Sequence, residues 1–293
     1  MTNLPPRNNL AGGAWLIADM SLNIWALSIV KAMGADIPAA QVVFLRASVG
    51  LILILPWILR SRAQFAQIEH LPLQLARVAL SSITLTASFF AIARMPLALF
   101  TAIGFTRPMV TMLMAALFLR ETILGRHWIA ALVALIGVLV AVRPSELTVP
   151  ALALAAQVLV VVTSSAVVIL TRRLRAAPPV VMMAFYTGGL ALCTAGPAAW
   201  SWQPLTGGTL LPLLAVGVFA QAAQFCFLRA QFWGDAAVLS VLSYLSMVFS
   251  GAIGFFIFGE VLKPHVLLGA ALVIGAALSL TLSRPSKPRA GIR

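Results

Sequence analysis

The chain has 293 residues, of which 61% are hydrophobic and 9% charged, whereas a water-soluble domain carries about a quarter charged residues. Its formal net charge is +13, yet the basic residues stand singly or in small groups between apolar segments. That excludes a nucleic-acid-binding stripe and matches the placement of Lys and Arg at membrane edges. Cys193 and Cys226 lie in apolar segments without metal-ligand spacing, so no metal, disulfide framework or cofactor is expected.

A bilayer core takes about 20 apolar residues per helix. Residues 1–10 are polar and are expected as a cytoplasmic N-terminus. The following segment is too long for a signal-peptide core and carries Asp19 and Asn23 in its middle, so it is expected as a retained span. Punctuation by Pro, Gly and charge divides the rest, giving ten predicted spans at 11–31, 37–59, 72–94, 97–119, 126–143, 149–171, 179–200, 208–229, 236–258 and 264–283. A basic tail, 284–293, closes the sequence on the cytoplasmic side.

Lys and Arg set the orientation. With the N-terminus cytoplasmic, thirteen fall on that side, four (Lys31, Arg94, Arg143 and Lys263) on the other, and Arg46, Arg77 and Arg107 inside spans. The bias predicts both termini inside.

The chain repeats itself. Residues 106–121, TRPMVTMLMAALFLRE, align with 245–260, LSMVFSGAIGFFIFGE, at an offset of 139, so that Glu121 falls on Glu260, Arg107 on Ser246 and Ala115 on Gly254. The segments HWIAALVALIG and HVLLGAALVIG follow in register to within a residue or two. Each half, 11–143 and 149–283, holds five spans, and an odd number sends the second copy into the membrane from the opposite side. The expected fold is an all-α membrane protein of ten transmembrane helices, built as two inverted five-helix repeats.

These segments carry a resemblance. RPMVTMLMAALFLRETILGRHWIAALVALIGVLVAVRP in the first half and FFIFGEVLKPHVLLGAALVIGAAL in the second resemble the drug/metabolite transporter superfamily, and within it the EamA-type exporters. The resemblance implies an inner-membrane, multi-pass transporter exporting amino acids or similar small metabolites, as a monomer or homodimer. Relatives commonly show Glu-Pro where this chain has Arg107-Pro108 and Ser246-Met247, so a family-wide role for that acid does not carry over. Some relatives take up a vitamin such as riboflavin, which is the alternative reading. A mostly aromatic cavity with its charges paired off would favour that alternative.

An ionisable group at mid-membrane depth costs ~2.5–3.5 kcal/mol and is a functional candidate by default. Asp19 is the one acid well inside a span, and Arg46 and Arg107 reach the same layer. One reading has Arg46 or Arg107 receive a substrate carboxylate, because guanidinium presents a matching planar fork. Asp19 then faces a substrate ammonium or carries a coupling proton. The other reading is a permanent Asp19–Arg46 ion pair locking two spans together. Asn23 shares a helix face with Asp19, and Thr111 with Arg107; Ser82 maps onto Gln221 across the repeat. Tyr186 and Tyr244, the only tyrosines, lie mid-span rather than at headgroup depth, where Tyr usually sits. These nine, Asp19, Asn23, Arg46, Ser82, Arg107, Thr111, Tyr186, Gln221 and Tyr244, are the expected substrate contacts.

Arg77, near the cytoplasmic end of its span, is expected to snorkel as an anchor. Gly251, Gly254, Gly269 and Gly275 are expected at close helix contacts. Glu121 and Glu260, at the membrane edges, are expected to partner nearby basic residues. No G-x-x-x-x-G-K-[ST] loop, Ser–His–Asp set or H-E-x-x-H motif is present, and a membrane-embedded enzyme would need clustered acids or histidines that the sequence lacks.

Overall fold

The computed structural model describes residues 7–33, 37–66, 70–92, 94–95, 97–142, 149–205, 207–259 and 264–281. The described residues form helices and no strands. Glu260, Lys263, Arg143 and the basic tail lie outside them.

The first half comprises α1 (Asn9–Met33), α2 (Ala39–Arg60), the short α3 (Arg62–Ala66), α4 (Leu71–Ile92), α5 (Leu97–Gly104), α6 (Arg107–Leu119) and α7 (Gly125–Val142). The second comprises α8 (Ala151–Arg173), α9 (Pro179–Trp200), α10 (Gly207–Trp233), α11 (Ala236–Leu242), α12 (Leu245–Phe258) and α13 (Pro264–Thr281). Among the described residues seven segments are long and apolar enough to cross a membrane, including Leu99–Leu119 and Ala236–Ile257, each made of two helices joined by a break. Shorter apolar helices cover Gly125–Ala141 and Pro264–Ser279. This is a multi-pass membrane protein.

Local geometry repeats along with the sequence. Pro38 and Pro178, both extended at ψ 135° and ψ 132°, start α2 and α9. Proline is pre-set for a helix entry and has no N–H to leave unpaired. Helix α6 stops at Arg120 in the left-handed region (φ 52°), its N–H returning to the Ala115 carbonyl. Helix α12 stops at Gly259 (φ 64°), with its N–H on Gly254. Both residues of each bond are related by the offset of the repeat. Arg120 bears the strain of a side chain there, which Gly259 avoids.

Packing repeats too. Helix α1 lies on α10 as α8 lies on α4, and α6 lies on α8 as α12 lies on α1. The α2–α9 and α7–α13 pairs are each their own counterpart. A contact pattern that survives exchange of the halves is what a two-fold relation requires. Phe105 and Tyr244, equivalent across the repeat, stack on each other at 6.1 Å and 16°, at the point where that relation maps a contact onto itself. Both belong to the cluster built on Met112, Ala134, Val138, Val241 and Val273.

At the α7–α13 seam, a Cβ on Gly137 would stand 2.8 Å from the Gly269 carbonyl. The two backbones touch there, as expected of small residues between membrane helices. Gly275 differs from its expectation, since a Cβ on it meets nothing within 4 Å. It lies on the outer side of α13, away from the seam. Gly137→Ala should therefore destabilise the protein by about 1–3 kcal/mol through overpacking, seen as a lower unfolding temperature in detergent. Gly275→Ala should be neutral or gain up to about 1 kcal/mol from helix propensity. Equal responses at the two sites would contradict the packing described.

Candidate functional site

The apolar requirement on lipid-facing surfaces leaves one place for mid-depth charge, the space between the halves. A cavity of about 620 Å³ lies there, lined from α1, α2, α4, α6, α8, α9, α10, α11 and α12. Of the expected contacts, Asp19, Asn23, Arg46, Arg107, Thr111 and Tyr186 line it.

Asp19 stands at mid-length of α1, where its Oδ1 accepts from Asn23 Nδ2 at 2.7 Å. The i, i+4 spacing brings the two together on one helix face. Among the described residues no Asp19–Arg46 ion pair forms; the charge that acts on Asp19 is Arg107. Arg107 opens α6 directly after the α5–α6 break and is solvent-accessible within the cavity despite its depth. Beneath it, Thr111 Oγ1 donates to Ser165 Oγ at 3.1 Å and ties α6 to α8. At the break, Met109 and Val110 N–H both return to the Thr106 carbonyl. Charge there comes from the Arg107 side chain.

Three expected contacts are elsewhere. Tyr244 is fully buried against Phe105 in the core, since the turn at Ser243–Tyr244 aims its ring at the opposite half. Gln221 accepts from Thr187 at 3.2 Å and presses on Gly50, between α10, α9 and α2. Ser82 donates to Val78 and meets Cys193 Sγ at 3.0 Å, facing α9. The cavity face of α4 is one residue round, with Arg77, Ser81, Thr84 and Ser88.

Arg77 also departs from the expected anchor. It is 1% exposed, donates to the Met182 carbonyl, and lies over the Tyr186 ring at 5.8 Å. The Met182 carbonyl and the Tyr186 ring, both of α9, hold its guanidinium inward. The i, i+4, i+7, i+11 spacing of Arg77, Ser81, Thr84 and Ser88 is the sequence signal that identifies this face.

The cavity floor is closed by packed side chains. Ala236, Leu239, Gln231 and Ser240 are buried there. Below them, polar contacts join the halves. Glu121 Oε1 accepts from Arg7 at 2.9 Å and from Arg172 at 2.8 Å, and Oε2 from the Ala236 N–H at 3.3 Å. Arg172 also donates to Gln231 at 3.1 Å and to the Gly234 carbonyl at 3.0 Å. Asp235 accepts from Arg7 at 2.7 Å and from Asn9 at 2.9 Å, and returns its own N–H to Asn9 at 2.7 Å. Burial works against ionisation of Asp235. The hydrogen bonds from Arg7 and Asn9, with the charges of Arg7 and Arg172, overcome it and hold the carboxyl below its ordinary 3.8. At the opposite end of the cavity wall Leu27 is 67% exposed. The contacts of Arg7, Glu121, Arg172 and Asp235 latch the two halves together at the end of the cavity nearest Arg7.

The EamA-like transporter family matches the sequence twice, at residues 14–143 and 151–282. A pseudopaline exporter of Pseudomonas aeruginosa (strain UCBPP-PA14) is 28% identical over 260 residues, covering 88% of this chain and 91% of its own. An S-adenosylmethionine uptake transporter of Rickettsia felis is 24% identical, covering 94% and 93%. A riboflavin transporter of Brucella anthropi is 24% identical, covering 83% and 88%. One crystal structure superposes with a TM-score of 0.80 at 20% identity, over 94% of this chain and 98% of that one, which is likeness of fold.

Glu121 and Arg172 are 11% and 3% exposed, and removing one partner of such a buried pair costs about 3–5 kcal/mol. Glu121→Gln should therefore lower the unfolding temperature, and a double-mutant cycle with Arg172→Gln should show strong coupling. Additive effects would contradict a joined latch. The Asp235 contribution is present above pH 3.8, the ordinary value, and is lost as pH falls through its lower folded value. Thermal stability should drop in that acid window, and Asp235→Asn should flatten the drop. An unchanged acid limb in that variant would show that Asp235 carries none of it.

Proposed function

The chain belongs to the EamA-like transporter family, and from that premise we propose that it exports amino acids or similar small metabolites across the inner membrane by alternating access. The observation that carries the proposal is the cavity between the halves, with Asp19, Arg46 and Arg107 on its walls and no ion pair between Asp19 and Arg46 among the described residues. A permanent structural pair would leave nothing for a ligand. Charges held apart in a water-accessible cavity offer a carboxylate to an ammonium and guanidiniums to a carboxylate.

In this proposal the chain makes ten spans, with both termini cytoplasmic and the halves inverted. The latch of Arg7, Glu121, Arg172 and Asp235 is then the cytoplasmic gate, and the conformation described opens outward. Exchange of the halves' conformations opens the other end, which the matched packing pairs permit without new contact types. Asp19 is the coupling group, loading a proton from one side and releasing it on the other. Two aromatic side chains, Tyr186 and Phe227, line the cavity against its charged groups, which favours a charged metabolite over a flat aromatic vitamin.

Counterflow of a labelled amino-acid mixture into proteoliposomes tests the reading. Arg107→Ala should abolish counterflow in protein that remains monodisperse, and full activity would sink the assignment of Arg107. Asp19→Asn should leave a weakened residual counterflow and lose the pH dependence of net transport. An unchanged pH profile would remove the coupling proposal.

A further inference from the structure

The charge on the cavity walls is unbalanced. Asp19 is the one acid among the described residues that line it, while Arg46, Arg77 and Arg107 all do. With Arg77 turned inward rather than out to the membrane edge, two positive charges stand without a counter-charge. A simple zwitterion does not change this, because its ammonium and carboxylate cancel each other.

Hydrogen-bonding capacity is divided in the same way. The hydroxyls of Ser81, Ser243 and Ser246 donate to backbone carbonyls three or four residues back at 2.7–2.8 Å. Asn23 spends its amide N–H on Asp19. These groups present lone pairs to the cavity, which accept from N–H and repel carboxylates. The charged donors for an anion are the guanidiniums of Arg46, Arg77 and Arg107, beside the neutral amide of Gln224 and hydroxyl of Ser88.

The guanidiniums form two poles. Arg107 acts on Asp19 at one. Arg77 lies over the Tyr186 ring, and Tyr186 packs against Val43 and Ala47 of α2, beside Arg46, at the other. A volume of about 620 Å³ falls in the range that holds a drug-sized ligand, about 300–1,000 Å³.

We propose that the transported metabolite is an amine bearing at least two carboxylates, net anionic at neutral pH. One carboxylate and the amine meet Arg107 and Asp19; a second carboxylate meets Arg46 and Arg77. The inference rests on the exporter reading above. It narrows the substrate from an amino acid to a polycarboxylate amine.

Cells expressing the full chain, the Arg77→Gln and Arg46→Gln variants or an empty vector are compared by mass spectrometry of the medium. Carboxylates are counted from the methyl esters each compound accepts. The compounds that accumulate with the wild-type chain should carry an amine and at least two carboxylates, and each variant should cut their accumulation about tenfold or more, the loss of one charged hydrogen bond. Arg77→Lys should keep part of the export, which separates a lost charge from a lost fold. Accumulation of compounds with one carboxylate, unaffected by Arg77→Gln, would overturn this inference and leave the exporter reading standing. A medium unchanged by wild-type expression would overturn the exporter reading and this inference with it.

Discussion

Three ionisable side chains, Asp19, Arg46 and Arg107, stand within helices whose outer surfaces are apolar, with Arg77 turned inward beside them, and placing a charge at mid-depth costs ~2.5–3.5 kcal/mol. That cost dictates where everything else goes. The charges cannot face lipid, so their helices turn those faces inward. A space with water access has to exist where they meet, because the described charges are not paired off against one another. The cavity between the halves is the consequence.

Duplication supplies the walls and the latch makes them unequal. The halves share their proline entries, their left-handed helix ends at Arg120 and Gly259, and their packing partners. They differ in charge. Arg107 answers Ser246, Arg46 falls opposite Tyr186 within a residue, and the described latch gathers Glu121, Arg172 and Asp235 at one end. In the proposed alternating-access cycle, similar backbones serve two related conformations and unequal side chains bias one of them. In this structure the biased state is closed over the floor at Ala236 and Leu239.

Much of this was legible in the sequence, since hydrophobic length and repeat offset are one-dimensional signals. The apolar segments, the Glu121–Glu260 register, and the depth of Asp19, Arg46 and Arg107 need only counting. What was not legible depends on rotation about a helix axis or on distant pairing. A shift of one residue separates Ser82, which faces α9, from Ser81, which faces the cavity. Arg77 is near enough to a helix end to snorkel, and nothing local tells that α9 holds its guanidinium inward. Tyr244 has the depth of a contact, yet the turn before α12 sends it into the core. The latch joins Arg7 to residues 114 and 228 positions away, and no spacing rule connects them.

In the proposed cycle one cavity is exposed to one side of the membrane at a time, and the latch sets which side. Ser246 lines the cavity, and Ser246→Cys, with Cys193 and Cys226 replaced by Ser, reports its exposure to a membrane-impermeant thiol reagent. The account predicts modification from outside intact cells and protection in inverted vesicles, with Glu121→Gln making the same cysteine reactive in the vesicles. Equal modification from both sides without the latch mutation, or from neither, would contradict it.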